Sequence, residues 1–280
     1  MRNIFLLLFL PLLCAVPLAG QTIYTSEKDF RGHLQGIAVD ESGISCSFAH
    51  DMMKVDFQGK VLRRFHTPSH AGDMTTDGER IYCAVSMWYA KDAEKFGANN
   101  CIFVYDREFK FLEAKPFKDL QGFDGIAYIN GKFYVGLNDL GSKARMENRI
   151  AILDRDFKLL KIATITIGSK TKFGAQTLNN FNGKLLAGFY GGGKSSYIFD
   201  PDELEKSDTV VKPVGQFPAD TTVGFFQLPD TIAEPGSFII ARNFRAIEPV
   251  SKKRRYGAKF IVQKQNRNGS LKLSSLKIAK

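Results

Sequence analysis

Four stretches of the chain repeat one order of apolar and polar positions. Each copy reads as a short strand, a tight turn and a second strand, and the copies align without gaps from the first strand into the second. They begin at positions 33, 70, 122 and 174, so they are spaced 37 to 52 residues apart. A fifth, more diverged copy covers 223–241. Strand repeats of this length are typical of the blades of a β-propeller.

The turns and the segments between copies support this architecture. Asn130-Gly131 and Asn182-Gly183 are strong hairpin signals, because both turn positions need a positive φ. A third strand pattern, a polar turn and a fourth strand follow, as in 102–112 and 150–160. We therefore predict an all-β fold, a five-bladed β-propeller with four antiparallel strands per blade. An irregular sandwich would not explain why strand and turn residues recur in order. The closing strand is either 271–278 or one near 23–25.

The polar residues that begin the repeated strands predict where a site would lie. In a propeller the first strand of each blade lines the central channel, so these residues meet at one end of it. They are His33, Gln35, His70, Asp73, Asp124 and Gln176. In the aligned copies Gln35, Asp124 and Gln176 share one position, and His33 shares another with His70. Asp73 stands one position away and would need a β-bulge to face inward.

The loops after the second strands add further polar and aromatic groups to the same end. They contribute His50, Trp88, Tyr89, Asn138, Tyr190 and Arg242. All four histidines fall here, so we call this the histidine end. A polar, water-filled channel would account for any one of these residues alone. Their clustering is typical of a ligand pocket, which needs a few convergent polar groups in a concavity.

Two functions from different classes fit this set. The first is binding of a small ligand such as a saccharide. Trp88, Tyr89 and Tyr190 would stack on the sugar rings. Gln35, Asp124 and Gln176 would form hydrogen bonds with the ligand. The second is a hydrolase, lyase or cyclotransferase in which His33 or His70 acts as general base and Asp124 orients it or acts as acid. A scaffold that docks another protein is a third alternative.

A divalent metal is a further possibility at the same end. His33, His70 and either Asp73 or Asp124 would form a two-histidine, one-carboxylate set compatible with zinc or iron. Calcium could bind through Asp124 and Asp139. No local metal motif such as HExxH occurs, so the cofactor stays open.

The amino terminus predicts export. Residues 1–20 combine a short positive start, an apolar run and small residues, as in a secretory signal peptide. The run is short for a membrane span and contains Pro11 and Pro17, so a membrane anchor is the weaker alternative. We therefore predict a single propeller domain over 21–280, secreted or periplasmic, monomeric and without a membrane span.

The net charge and the cysteines say less about fold and function than the repeats do. The formal net charge of +10 comes mostly from scattered lysines, and the dense run at 252–255 reads as an exposed loop. Export argues against a nucleic-acid partner. Three cysteines follow the signal, Cys46, Cys83 and Cys101. Cys83 and Cys101 could form a disulfide, and buried free thiols are the alternative.

Two resemblances follow from these motifs. His-Leu-Gln-Gly-Ile at 33–37, Ser-His-Ala-Gly-Asp at 69–73 and Gly-Ala-Gln-Thr at 174–177 resemble a family of exported bacterial propeller proteins without an assigned function, over nearly the whole mature chain. Gln35-Gly36 and Asp124-Gly125 are more loosely similar to the five-bladed glutamine cyclotransferases of plants and bacteria. The chain departs from that group in His33 and His70 and in Gln176, where an acid would stand. That resemblance implies the five-bladed frame.

Overall fold

The computed structural model of the protein describes residues 21–27, 29–87, 90–138, 143–191, 193–247, 254–266 and 268–277. Within these ranges the chain forms twenty β-strands and two short helices, α1 (Ala90–Phe96) and α2 (Pro201–Lys206). None of the helices there is long and apolar enough to cross a membrane. Residues 1–20 lie outside the described ranges, so the signal peptide stays a prediction.

The first two copies each form a four-stranded antiparallel sheet in chain order. The first sheet consists of β2 (Leu34–Asp40), β3 (Gly43–Phe48), β4 (Asp51–Val55) and β5 (Val61–His66). The second consists of β6 (His70–Thr76), β7 (Ile81–Ser86), β8 (Asn100–Tyr105) and β9 (Phe111–Phe117). In both, the inner three strands are buried almost throughout and the fourth is partly exposed. The first strand is therefore innermost, as the repeat predicts.

The next two copies share one long strand. Seven strands pair in order: β10 (Phe123–Ile129), β11 (Lys132–Leu137), β12 (Arg145–Leu153), β13 (Leu159–Phe181), β14 (Lys184–Tyr190), β15 (Ser196–Phe199) and β16 (Gly215–Phe217). The first half of β13 pairs with β12 and its second half with β14. Between the halves, Gly168, Phe173 and Gly174 have positive φ angles of 76°, 61° and 70°. These residues redirect the strand from one sheet into the next.

The last sheet joins the two ends of the chain. It contains β17 (Phe225–Gln227), β18 (Ser237–Ile247), β19 (Arg254–Gln265), β1 (Thr22–Tyr24) and β20 (Leu271–Leu273). β18 pairs along one edge of β19. Along the other edge of β19, β1 pairs with residues 259–261 and β20 pairs with residues 263–265. Both strands considered in the sequence analysis thus complete this sheet, side by side.

The innermost strands contact one another in a ring. β2 contacts β6, β6 contacts β10, β10 contacts β13, β13 contacts β17, and β17 contacts β2 again. The junction between the last and first sheets is held by Leu34 N, which donates to Asn243 Oδ1 at 2.7 Å. Apolar side chains fill the space between neighbouring sheets; in that junction Ile37, Phe48 and Phe260 belong to one buried cluster.

The cysteines are buried free thiols. Cys46, Cys83 and Cys101 carry no disulfide, and in the β7–β8 register Cys83 lies opposite Phe103 while Cys101 lies opposite Val85. Burial raises the pKa of each thiol. A protonated, shielded thiol is a poor nucleophile.

We therefore expect an alkylating reagent to label none of these three cysteines in the folded protein and all three in urea. Mass spectrometry of the labelled peptides measures this, with the urea sample as the control. Labelling of Cys46 or Cys83 without denaturant would contradict the burial described here.

Candidate functional site

A β-bulge recurs at the same place in the innermost strands of four copies. The pairing register shifts between residues 34 and 36 in β2, 71 and 74 in β6, 123 and 126 in β10, and 175 and 177 in β13. A bulge adds a residue on one strand and re-aims the side chains beside it. Gln35, Asp124 and Gln176 lie within these bulges. The strand starts are therefore locally reshaped where the polar residues stand.

Asp124 lies at the centre of a continuous polar network. Its Oδ2 accepts hydrogen bonds from Gln176 Nε2 at 3.2 Å and from Asn138 Nδ2 at 3.4 Å. Its Oδ1 lies 3.8 Å from His70 Nδ1. His70 Nε2 in turn lies 2.7 Å from Gln35 Nε2. Four of these residues come from four innermost strands, and Asn138 comes from the loop after β11. Five predicted residues are thus brought together.

The network assigns a protonation state to His70. A glutamine amide nitrogen only donates, so the contact with Gln35 makes His70 Nε2 an acceptor and places the proton on Nδ1, facing Asp124. Burial, with the nearby His33 and His50, lowers the pKa of His70 from 6.5 to about 4. The imidazole is therefore neutral at pH 7, and its proximity to the carboxyl is a polar contact rather than an ion pair.

Asp124 is the titrating group of the network. Burial raises its pKa from 3.8 to about 7, against the opposing effect of the hydrogen bonds from Gln176 and Asn138. Desolvation disfavours the charged form of a carboxyl group, which explains the direction. At neutral pH this carboxyl can either donate or accept a proton, which is the property required of a general acid or base.

His33, His50 and Tyr190 lie beside this network. His33 Nε2 is 3.2 Å from the Tyr190 hydroxyl, and all three side chains are half-buried. Burial and the charges of Asp124 and Asp220 raise the pKa of Tyr190 to about 12. The phenol is therefore neutral and able to donate. Together with the network, these residues form a rim of hydrogen-bond donors and acceptors.

Asp73 reaches the interior through its bulge, and there it binds backbone amides. Its carboxyl group is fully buried, and Oδ2 accepts the backbone N–H of Leu178 at 2.8 Å. Burial raises the pKa of Asp73 well above the usual value, although backbone hydrogen bonds from Met74 and Ile126 oppose this effect. Asp73 thus connects β6 with β10 and β13, and we assign it a structural role.

His66 lies on a different strand from the network residues, and some predicted residues fall outside the described ranges. His66 belongs to the outer strand β5 and binds the buried Asp51 through Nδ1. Arg242 is half-buried, donates to Ala241 O at 3.0 Å and has a pKa lowered by burial. Trp88, Tyr89 and Asp139 are not among the described residues. Their stacking and ligand roles stay predictions.

The described residues give the metal hypothesis no support. No three His, Cys, Asp or Glu side chains within those ranges are arranged to hold an ion. His70 Nε2 contacts Gln35, and His33 Nε2 contacts Tyr190.

A cavity of about 280 Å³ opens beside Asp124 and Asn138. Its wall includes Ser86 and Asn100, which the sequence analysis did not select. Ser86 Oγ donates to Phe123 O at 2.9 Å, and Asn100 Oδ1 accepts from Phe123 N at 3.2 Å. These bonds hold the strand segment that carries Asp124. Asn100 begins a third strand, a position that the repeat does not mark as polar.

Comparisons with known proteins place the fold. By sequence, the chain matches no family model and no curated protein. By structure, it is similar to the crystal structure of Myxococcus xanthus glutaminyl cyclase, with a TM-score of 0.52, 15% identity and coverage of 91% of this chain and 96% of that chain.

Two more distant structures show weaker similarity. One is a protein of unknown function from Bacteroides caccae, with a TM-score of 0.46, 13% identity and coverage of 79% of this chain and 82% of that chain. The other is the Neurospora crassa Pan2 WD40 domain, with a TM-score of 0.43, 8% identity and coverage of 87% of this chain and 92% of that chain. The similarity to the glutaminyl cyclase, with the ring of innermost strands, indicates an all-β fold of the propeller type.

Proposed function

We propose that this chain is an exported five-bladed β-propeller that binds a small polar ligand, a saccharide, at the histidine end of its channel. The observation that carries the proposal is the buried network around Asp124, which opens onto a cavity. The ring of contacts among the five innermost strands supports the blade number.

The chemistry of the network favours a neutral ligand rich in hydroxyl groups. Gln35, Gln176 and Asn138 carry amides, which both donate and accept hydrogen bonds. His70 is neutral, and Asp124 is close to half-protonated at pH 7. Of this network, Asp124 and Asn138 line the cavity, and the Asn138 amide offers both a donor and an acceptor to the hydroxyl groups of a ligand.

The second candidate function is acid–base catalysis in the same pocket, and the titration of Asp124 favours it. The glutaminyl cyclase shares the fold alone at 15% identity, so the activity is a hypothesis for this chain. Cyclisation of an amino-terminal glutamine forms a bond from the α-amine to the γ-carbonyl carbon and expels ammonia. A carboxyl with a pKa near 7 could take the proton from the attacking amine and return it to the leaving nitrogen.

The first test compares Asp124→Asn with the wild type in isothermal titration against neutral mono- and disaccharides. Asparagine can keep both bonds from Gln176 and Asn138, because both go to the same oxygen. It places an amide where the carboxyl faces the pocket. We expect roughly a 10- to 100-fold weaker affinity, in line with about 1–3 kcal/mol for a ligand hydroxyl that loses its acceptor.

The matched control is Asp208→Asn, whose side chain is 95% exposed and should leave binding unchanged. An Asp124→Asn variant that binds each sugar as the wild type does would contradict the binding proposal. Ammonia release from peptides with an amino-terminal glutamine, abolished in Asp124→Asn, would favour the catalytic candidate instead.

A further inference from the structure

A second cavity lies at the other end of the channel. It has a volume of about 520 Å³ and is bounded by the last residues of the five innermost strands, among them Asp40, Thr75, Tyr128, Asn179 and Phe226. We call this the opposite end. These residues follow the histidine-end residues by several positions along the same strands, which at about 3.3 Å per residue separates the two cavities by roughly 10 Å or more.

The wall of this cavity contains a buried amide that the protein does not satisfy. Asn179 is 3% exposed, and its Nδ2 has no hydrogen-bond partner among the described residues. Buried polar groups normally have a partner, so such a donor calls for an explanation. An acceptor oxygen on a molecule held in the cavity would supply one.

Neighbouring groups extend the same chemistry. Thr75 is buried, and its Oγ1 accepts the backbone N–H of Tyr128 at 3.1 Å while it can donate its own proton. Tyr128 packs against Phe133 with the rings tilted by 51° and their centroids 4.9 Å apart. Phe226 adds a second, partly buried ring. Hydroxyl, amide and aromatic groups in one concavity are the combination that binds sugar rings.

The charges at this end argue against an anionic ligand. Asp40 is paired with the buried Lys54 at 2.7 Å, so the two charges cancel. Glu41 and Asp230 lie exposed on the rim. Arg107 also lines the rim, and its Nε donates to Gly78 O at 2.8 Å. The two carboxylates outnumber this one cation in a chain whose net charge is +10.

We propose that the opposite end is a second ligand site, for a neutral saccharide of one or two rings, with Asn179 donating to one of its oxygens. A volume of about 520 Å³ falls within the range of small-molecule pockets, about 300–1,000 Å³. The site is independent of the proposal for Asp124, because no residue is shared between the two cavities.

The test measures binding of the same neutral mono- and disaccharides to the wild type, Asn179→Leu and Asp124→Asn by isothermal titration. Leucine has nearly the shape of asparagine and removes the donor. The proposal expects a sugar whose affinity falls at least tenfold in Asn179→Leu and is unchanged in Asp124→Asn. A sugar whose affinity falls in Asp124→Asn and is unchanged in Asn179→Leu would bind at the histidine end. The proposals for the two sites can therefore be contradicted independently.

Folding is checked by thermal unfolding of each variant. Asn179→Leu removes a buried donor without a partner, so its melting temperature should not fall. If it nevertheless fails to fold, Asn179→Ala replaces it in the same titration. Wild-type affinity for every sugar in the folded Asn179 variant, or no sugar that binds independently of Asp124, would overturn the proposal.

Discussion

Replacing Gly36 with alanine is expected to lower the free energy of unfolding by about 3 kcal/mol. A Cβ at this position would lie 2.8 Å from Met74 N and closer still to the Cα and Oδ1 of Asp73. Two of these three atoms belong to the backbone, so no rotation of a side chain can make room. The innermost strands β2 and β6 would have to move apart, together with the residues that they hold at the histidine end.

The matched control is Gly215→Ala in β16, where an added Cβ would meet nothing nearer than 3.8 Å. We expect this variant to stay within about 0.5 kcal/mol of the wild type, as surface substitutions usually do. Urea unfolding followed by circular dichroism measures both. Equal stability of the two variants would show that β2 and β6 are not in backbone contact at Gly36.

The pH dependence of stability should change markedly in Asp124→Asn. The pKa of Asp124 rises from 3.8 unfolded to about 7 folded, so the folded state binds the extra proton between these values. The contribution of Asp124 to stability is thus complete below about pH 4 and is lost as the pH rises to 7. The slope reaches about 1.4 kcal/mol per pH unit, about 4 kcal/mol over the interval.

His70 acts in the opposite direction. Its pKa falls from 6.5 to about 4 on folding, so the unfolded state binds the extra proton between these values. Its contribution is present above pH 6.5 and is lost as the pH falls to 4. In the wild type the two slopes oppose each other. Once Asp124 is replaced, the stability of the variant should rise from pH 4 to 6.5 because only the His70 slope remains from this pair.

Urea unfolding at each pH unit from 4 to 8 measures the effect as the difference in stability between the wild type and Asp124→Asn. This difference removes the titrations that the substitution leaves unchanged. Asp208→Asn is the control, because it makes the same change of side chain at an exposed position. A parallel Asp124→Asn curve would mean that Asp124 titrates near its ordinary value in the folded protein.

The grouping of the network residues at one end of their strands was predictable from the sequence, and the hydrogen bonds between them were not. His33 and Gln176 could be grouped because aligned copies place equivalent residues at the same end of their strands. The bulges that re-aim these side chains depend on pairing with the neighbouring strand, and local sequence does not record that pairing. As a result, two acidic residues near strand starts have different surroundings. Asp73 binds backbone amides, whereas Asp124 faces a cavity.

The amino-acid order alone determined the repeated strands, their hairpin turns and the end at which the imidazoles and amides collect, because strand periodicity and turn preference are local properties. Tertiary structure decided which groups are buried, and therefore which of them titrate near neutral pH, since desolvation depends on all the surrounding strands. It also decided that β1 and β20 share one edge of β19 and that the larger cavity lies beyond Asn179. Those features arise from segments far apart in the chain, and only their packing brings them together.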